Sequence, residues 1–253
     1  MSNSMDGKVV VVSGASLGVG KATAERFAQD GATVVLLARR KVLLDEIAEA
    51  IGPNAVPIAT DVTCSTQVRA AFEQVAVQFG RIDVLVNSAG ASRIRLIEEA
   101  SDEDIAVTVN TNLLAPIYTT RAAIPLLRAA GGGDIMNISS EITLDHLPMM
   151  SLYAASKRGL NGFTEAMTKE LRRESIRVTL VILGAVGGTG IHENFTQADL
   201  DRAMPVWEAD GYLTRMSGTE LLLAATVADA LHDVLTRPRE LMMDVVHVRP
   251  ASS

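Results

Sequence analysis

The chain has 253 residues, of which 48% are hydrophobic and 21% charged, and its formal net charge is -7 at pH 7. This length allows one large hydrophobic core. Its apolar runs are far shorter than the roughly 20 residues that a membrane-spanning helix needs, and its basic residues are scattered. We therefore expect a single globular domain that binds small molecules, with no membrane or nucleic-acid partner.

The amino-terminal segment and the cysteine content bear on the compartment. The segment "MSNSMDGKVVVV" has no basic region, long apolar stretch or cleavage site, and Cys64 is the only cysteine. A thiol without a partner in the chain fits a reducing compartment, so we expect a cytoplasmic protein. We expect residues 1–6 to be disordered and residues 7–250 to form the domain. We predict no metal site.

Short apolar runs alternate with amphipathic segments along the chain. The apolar runs predict strands near residues 8–13, 33–38, 55–60, 82–87, 134–139, 176–183 and 242–248. Helical patterns lie near 18–30, 41–51, 66–79, 102–130, 151–174 and 220–236. The strand runs are continuously apolar, as burial on both faces requires. We therefore predict an α/β fold, a Rossmann-type, doubly wound parallel sheet of about seven strands with helices on both faces.

A glycine-rich turn joins the first predicted strand to the first predicted helix. In "SGASLGVG", Gly14, Gly18 and Gly20 accompany Ser16 and Leu17. Such a turn exposes the first N–H groups of the helix and the positive end of its dipole, which attract phosphate, and glycine permits positive φ and close approach of a ligand. These five residues are candidates for binding a dinucleotide phosphate; a tight turn without a ligand is the alternative.

The end of the second predicted strand bears on the choice of cofactor. Leu36, Leu37 and Ala38 offer no carboxylate for a ribose 2'-hydroxyl, and Arg39 and Arg40 follow at once. A guanidinium has paired N–H donors that match a 2'-phosphate, so the pattern favours NADP over NAD. The alternative is a solvated arginine pair at a strand end.

A tyrosine, a lysine and a serine form a candidate catalytic group. In "SLYAASKRGL", Tyr153 and Lys157 stand four residues apart and share one face of a helix. A nearby ammonium stabilises a phenolate, so we expect Lys157 to lower the pKa of Tyr153 from its usual value of about 10. Ser140, at the end of "DIMNISS", could hydrogen-bond the reacting oxygen.

These segments occur in the order typical of one enzyme family. With the glycine turn, "NSAG" at 87–90, "NISS" at 137–140 and "YAASK" at 153–157, the chain resembles the short-chain dehydrogenase/reductase family from about Gly7 to Pro250. The resemblance implies that Tyr153 is the general acid/base, that Lys157 lowers its pKa and holds the nicotinamide ribose, and that Ser140 orients the substrate oxygen. It also implies that Asn112, in "NTNLLAP", anchors a water in a proton relay; a structural amide is the alternative.

The resemblance implies further cofactor contacts. They come from the strand ends, where a packing or turn role is the alternative: Asp61, Val62, Asn87, Ala89, Gly90, Gly184, Val186 and Thr189. Leu183 stands where the family typically has a proline, which leaves the turn at Gly184 looser.

The substrate pocket is predicted from two apolar segments. Residues 184–219 lack a clear period, and a loop at about 187–218 could close over a ligand or pack on the domain. The candidates are Ile142, Leu144, His146, Met149 and Met150 after the serine, and Ile191, Phe195, Met204, Trp207, Tyr212, Leu213 and Met216 in the loop. His146 reads as a surface or pocket residue without a catalytic role. A carboxylate at Glu141 would discourage anionic substrates, whereas Arg93 and Arg95 could receive one or be solvated.

The function implied is that of an NADP-dependent oxidoreductase that interconverts a secondary alcohol and a ketone. The segments "VGGT" and "DVVHVRP" look most like the branch with NADP-dependent 3-hydroxy acid (serine) dehydrogenases, so a moderately apolar alcohol or a 3-hydroxy acid is the expected substrate. A non-catalytic NADP-binding regulatory or assembly protein, or a C=N or C=C reductase, is the alternative. The resemblance also implies a homotetramer.

Overall fold

The computed structural model describes residues 4–191, 194–212 and 221–251. Within these ranges, seven parallel strands form one sheet in the order β3-β2-β1-β4-β5-β6-β7. The strands are β1 Val9–Ser13, β2 Thr33–Ala38, β3 Ala55–Ala59, β4 Val84–Asn87, β5 Gly133–Ser140, β6 Ile176–Leu183 and β7 Val245–Val248. The helices are α1 Gly18–Gln29, α2 Lys41–Ile51, α3 Ser65–Phe79, α4 Asp102–Val109, α5 Ala115–Ala129, α6 Ser151–Leu171, α7 Gln197–Ala209 and α8 Ala224–Leu235.

Helices cover both faces of the sheet, which confirms the predicted fold class. One buried cluster joins the sheet to α1, α2 and α8, with Phe27, Leu44 and Leu231 among its members. A second cluster joins the other face to α3, α5 and α6 and includes Phe72 and Leu127. Because β1 pairs with both β2 and β4, the chain reverses its winding direction there, and a crevice opens at the carboxyl ends of these strands.

The long helix expected over residues 102–130 is interrupted. A π-helical turn at Asn110–Leu114 separates α4 from α5. Pro116, in the first turn of α5, has no N–H to donate to the carbonyl of Asn112, as a regular α-helix would require. The proline therefore favours an irregular turn at the position of a predicted catalytic residue.

The segment expected to be irregular contains a helix. Thr196 caps α7, accepting a hydrogen bond from the Asp199 N–H, while the Asp199 carboxylate bonds the Thr196 N–H in return. Pro205 and the many polar residues of α7 obscure its helical period, although Ala203 and Trp207 lie four residues apart and are both buried. The prediction of a structureless loop over about 187–218 is wrong for this part; Leu213 and Met216 lie outside the described residues.

The amino-terminal residues that the structure describes pack on the domain. Met5, expected to be disordered, is 3% exposed, and its N–H donates to the Asp30 carboxylate at 2.9 Å. None of the described helices has the length and apolar character needed to cross a membrane.

Candidate active site

A cavity of about 780 Å³ lies at the carboxyl ends of the strands, where the winding direction reverses. Its lining comes from the glycine turn, the ends of β2, β4, β5 and β6, helix α6 and helix α7. Residues far apart in sequence therefore meet in one cleft, which is where ligands bind in open α/β sheets.

The glycine turn has the geometry that its sequence predicts. Gly14 and Gly18 have φ of +71° and +53°. A Cβ at Gly14 would lie 2.8 Å from Ala89, and one at Gly20 would lie 2.4 Å from the Gly14 carbonyl oxygen, so the two glycines allow close packing of the turn. Gly20 is not among the described lining residues; its observed role is this packing, and its contact with a cofactor stays a prediction.

The start of helix α1 faces the cavity. Ser16, Leu17 and Gly18 line it, and the N-cap residue is Leu17, whose side chain has no oxygen to accept from the first N–H groups. These donors and the positive end of the helix dipole form a site suited to an anion.

Two arginines extend this positive region. Arg39 and Arg40 are exposed and line the cavity, and Arg40 donates from Nη2 to the Ser16 hydroxyl at 3.3 Å. The end of β2 thus carries two cations beside the glycine turn, an arrangement that suits a phosphate more than an uncharged ribose hydroxyl.

The opposite wall of this half of the cleft comes from the ends of β3 and β4. Asp61, Val62, Ala89 and Gly90 line the cavity, and the Asp61 carboxylate accepts from the Thr63 N–H at 3.0 Å and the Thr63 hydroxyl at 2.7 Å. Asp61 therefore holds the turn after β3 in shape as well as facing the cleft.

Asn87 belongs to a buried network and is not among the described lining residues. Its amide donates to the Asn137 side-chain oxygen at 2.8 Å and accepts from the Thr119 hydroxyl at 2.6 Å. The Asn87 side chain thus has the structural role that was the alternative for this residue, tying β4 to β5 and α5, and its contact with a cofactor stays a prediction.

Helix α6 and strand β5 bring the predicted catalytic group together. Tyr153 and Lys157 are 7% and 4% exposed, and both line the cavity with Ser140. The Ser140 side chain is close enough to the Tyr153 hydroxyl to lower its pKa. The Lys157 ammonium donates to the Ile138 carbonyl at 2.8 Å and lies 5.9 Å from the centre of the Tyr153 ring. A phenol, an alcohol and a cation thus converge on one point.

Burial controls the proton affinities of this group. Desolvation raises the pKa of Tyr153 to about 12, although the Ser140 side chain opposes the rise. Desolvation also lowers the pKa of Lys157 to about 8. In the protein alone, the cost of burying a phenolate thus dominates the pKa of Tyr153, and the expected lowering by Lys157 stays a prediction for the cofactor complex.

Asn112 makes hydrogen bonds with both backbone groups of Ala91. Its side-chain oxygen accepts from the Ala91 N–H at 2.8 Å, and its Nδ2 donates to the Ala91 carbonyl at 2.7 Å and to the Ser156 hydroxyl at 3.0 Å. The Asn112 amide thus anchors the segment after β4 to α6. Its side chain has the structural role that the sequence left as the alternative to a water-binding role.

The turn after β6 is held without the proline that Leu183 replaces. The Gly184 N–H donates to the Val248 carbonyl at 2.8 Å, and Val186 forms a bridge with Leu222. Gly184, Val186 and Thr189 all line the cavity. Backbone pairing therefore keeps these residues beside the catalytic group.

The sequence model of the family described as short chain dehydrogenase matches residues 8–200. The chain belongs to the short-chain dehydrogenase family. Membership makes it an NAD(P)-dependent oxidoreductase.

Similar proteins agree with this assignment. This dehydrogenase is 37% identical over 185 residues to a 3-oxoacyl-acyl-carrier-protein reductase of Thermotoga maritima, covering 72% of this chain and 75% of the relative. It resembles the closed form of a serine dehydrogenase complexed with NADP+, with a TM-score of 0.85 and 27% identity over 96% of this chain and 94% of that one. A metagenomic short-chain oxidoreductase in complex with NADP has a TM-score of 0.80 and 29% identity, covering 98% and 99% of the two chains.

The apolar half of the cleft lies above Tyr153. Met204 and five further predicted pocket residues line it; the five are Ile142, Met150, Ile191, Phe195 and Trp207. These five pack around Tyr153 in a third buried cluster, and the Trp207 indole donates to the Pro148 carbonyl at 2.9 Å. The dehydrogenase thus places an apolar enclosure directly over its candidate catalytic group.

Four of the described candidate pocket residues are not among the lining residues: Leu144, His146, Met149 and Tyr212. Leu144 is 55% exposed, and the His146 ring bonds the Ile142 carbonyl through Nδ1 at 2.6 Å. A 3-10 turn at Glu141–Thr143 redirects the chain after Ser140. The turn leaves the Leu144 side chain exposed, and His146 fits the surface alternative of its prediction.

The arginines after β4 form ion pairs. Arg95 bonds the Asp199 carboxylate on α7, and Arg93 lies 3.3 Å from the Asp104 carboxylate on α4. Both readings of the sequence, a carboxylate receptor and a solvated pair, are therefore replaced by a link to α4 and α7. The capping-box spacing of Thr196 and Asp199 is the sequence pattern that could have predicted helix α7.

Other lining residues were missed by sequence reasoning. They come from the segments after β4 and β5, from α4 and from α7, and include Ser92, Glu103, Val107, Leu147 and Leu200. No motif marks them, because only the packing of α4 and α7 over the sheet brings them to the cleft.

Proposed function

We propose that this dehydrogenase interconverts a secondary alcohol and a ketone with NADP(H), and that Tyr153 transfers the hydroxyl proton. The observation that carries the proposal is the burial of the Tyr153, Ser140 and Lys157 side chains together at the end of one cavity. A non-catalytic binding protein would have no need to hold a phenol, an alcohol and an ammonium at one apolar site, where their burial is costly.

The residues of the cleft fit NADP. The open N-terminus of α1 suits a pyrophosphate, and the Arg39 guanidinium suits a 2'-phosphate with its paired donors. Asp61, Val62, Ala89 and Gly90 would hold the adenine half, whereas Lys157, Gly184, Val186 and Thr189 would hold the nicotinamide half. The NADP complexes of two similar structures support this placement.

When bound, the nicotinamide accepts or donates a hydride, which is the redox chemistry of the reaction. The chain supplies position and proton transfer. In reduction, the Ser140 hydroxyl donates to the substrate oxygen, and Tyr153 gives its phenolic proton to that oxygen as it becomes an alcohol. In oxidation, the phenolate form of Tyr153 takes the hydroxyl proton.

Lys157 and Asn112 act behind the tyrosine. The ammonium of Lys157 stabilises the phenolate left after proton donation, because the two groups share one buried site. Pro116 has no N–H for the Asn112 carbonyl, so we assign that carbonyl to a water that relays protons from Lys157.

Replacing Tyr153 tests the proposal. Tyr153→Phe removes one hydroxyl, and we expect turnover to fall about 10²- to 10⁴-fold while the dissociation constant of NADPH, measured by its fluorescence, changes little. Tyr118→Phe on α5, outside the cavity lining described, is the matched control. Full turnover in Tyr153→Phe would refute the assignment.

The assembly belongs to the same proposal. The family resemblance favours a homotetramer, and apolar side chains near the edge strand β7 support a contact between subunits: Leu241, Met242, Met243 and Val245 are 38–54% exposed.

A further inference from the structure

Glu141, the residue after Ser140, carries a buried carboxylate that the mechanism above does not use. It is 6% exposed and lines the cavity. Its Oε1 accepts a hydrogen bond from Nε2 of His247 at 2.6 Å. Its Oε2 is buried and has no hydrogen-bond partner among the described residues. Oε1 is thus held by His247, whereas Oε2 can still accept a hydrogen bond.

The sheet order explains how the carboxylate is held. Glu141 follows β5 and His247 lies on β7, so the side chain must cross the end of β6 to reach its partner. Gly184 leaves room for this crossing, because a Cβ there would lie 2.9 Å from Oε2 of Glu141. Gly184 itself lines the cavity, so Oε2 lies at the edge of the catalytic half of the cleft.

A carboxylate oxygen in this position would be stabilised by a hydrogen-bond donor. A buried acceptor without a partner is costly, and an O–H or N–H group on a ligand would remove that cost. Ser140 and Glu141 are consecutive residues, and both line the cavity. A ligand held by Ser140 therefore lies beside Glu141.

The charges at this end of the cleft oppose a carboxylate on the substrate. Glu103 also lines the cavity. The Lys157 ammonium donates to the Ile138 carbonyl, and Arg93 is paired with Asp104. Apart from Arg39, Arg40 and Asp61 in the half of the cleft beside the glycine turn, the charged lining residues are the carboxylates Glu141 and Glu103 and the cations Lys157 and Arg93. Both of these cations already have acceptors in the protein, which argues against a 3-hydroxy acid.

We propose that Glu141, held by His247, is a specificity-determining residue that selects substrates with an O–H or N–H donor on the carbon next to the reacting one. Vicinal diols and 1,2-amino alcohols are the simplest members of this class. The inference rests on the proposed alcohol–ketone function and adds the chemistry of the neighbouring group.

Three ring-matched alcohols test the inference. 1-Phenylethane-1,2-diol and 2-amino-1-phenylethanol carry a donor where 1-phenylpropan-1-ol carries a methyl group, so size and ring are constant. We expect wild-type protein with NADP+ to favour each donor-bearing alcohol over the methyl analogue about ten-fold or more in kcat/KM, the range of a hydrogen bond to a charged group.

Variants of Glu141 and His247 test whether the preference for donor-bearing alcohols depends on these two residues. Glu141→Gln should reduce both preference ratios about five-fold or more, with the larger loss for the amino alcohol, because the charge disappears. His247→Gln should shift the ratios in the same direction by less, and it provides the test if Glu141→Gln does not fold. Glu46→Gln, an exposed carboxylate on α2, is the control and should keep the wild-type ratios.

Two results would overturn the inference. Ratios of kcat/KM near one in the wild-type protein, or ratios unchanged in Glu141→Gln and His247→Gln, would show that Glu141 does not determine substrate specificity. A weaker affinity of Glu141→Gln for NADPH with unchanged ratios would assign Oε2 to the cofactor instead.

Failure of the proposed function gives a different result. If wild-type protein binds NADPH but oxidises none of the three alcohols, the redox proposal fails for this class. The inference is then tested by binding, measured as the thermal shift of the NADP+ complex on adding each alcohol. A shift with the diol or the amino alcohol that is lost in Glu141→Gln supports the inference. Equal shifts with 1-phenylpropan-1-ol overturn it.

Discussion

At the scale of single residues, the same side chains serve the fold and the cleft. Gly14 fits against Ala89, and Asn112 ties the segment after β4 to α6. Lys157 is held by a strand carbonyl while it lines the cleft beside Tyr153. Substitutions at such positions change stability and activity together, so informative variants are those with a single role.

Arg39 is such a residue, because its side chain is exposed and lines the phosphate end of the cleft. We expect Arg39→Ala to weaken NADPH binding about ten-fold or more while NADH binding stays nearly constant, since only NADPH has a 2'-phosphate. Titration of the fluorescence of each nucleotide measures both constants. Arg237→Ala is an exposed control outside the described lining, and equal losses for NADPH and NADH in Arg39→Ala would contradict the assignment.

At the scale of elements, α7 is attached to the rest of the domain by charged contacts as well as apolar ones. Asp199 caps the helix and pairs with Arg95, and Arg202 donates to Glu99 at 2.9 Å. The Arg95 hydrogen bond lowers the pKa of Asp199 to about 2 from its usual 3.8. The carboxylate therefore stabilises this helix above about pH 4, and that contribution is lost as the pH falls toward 2.

Asp199→Asn tests the attachment. We expect a loss of about 1 kcal/mol, or about 2–4 °C in Tm, together with a higher KM for the alcohol, because α7 carries Trp207 over Tyr153. The variant should also lose part of the stability difference between pH 4 and pH 2, measured by thermal unfolding. Asp201→Asn on the same helix is the control. An unchanged KM would show that α7 does not shape the pocket.

At the scale of the whole molecule, the pattern of the sequence predicts the fold well and the pocket only in part. The strand from 176 to 183 and the helix from 41 to 51 are observed with those bounds, because buried parallel strands and amphipathic helices have strong periods. Tyr153, Lys157 and Ser140 were placed by motif. Three features were not predicted: helix α7, the ion pairs of Arg93 and Arg95, and the turn that leaves Leu144 exposed. They depend on tertiary contacts, which leave no periodic pattern in the local sequence.

The assembly is also a property of the whole molecule. We expect light scattering to give a mass four times the 26.9 kDa of the chain. Val245→Lys should lower that mass, because a charge on the exposed apolar edge of the sheet opposes pairing with another copy. A monomer at micromolar concentration in the unaltered protein would refute the tetramer.

The third buried cluster is separate from the two clusters that hold helices against the sheet. It contains Ile142, Met150, Ala203 and Trp207, together with Tyr153. Mutations that repack it change the walls of the pocket without opening either large core. Except at Tyr153, the cluster can therefore be substituted to change substrate preference while the two large cores stay intact.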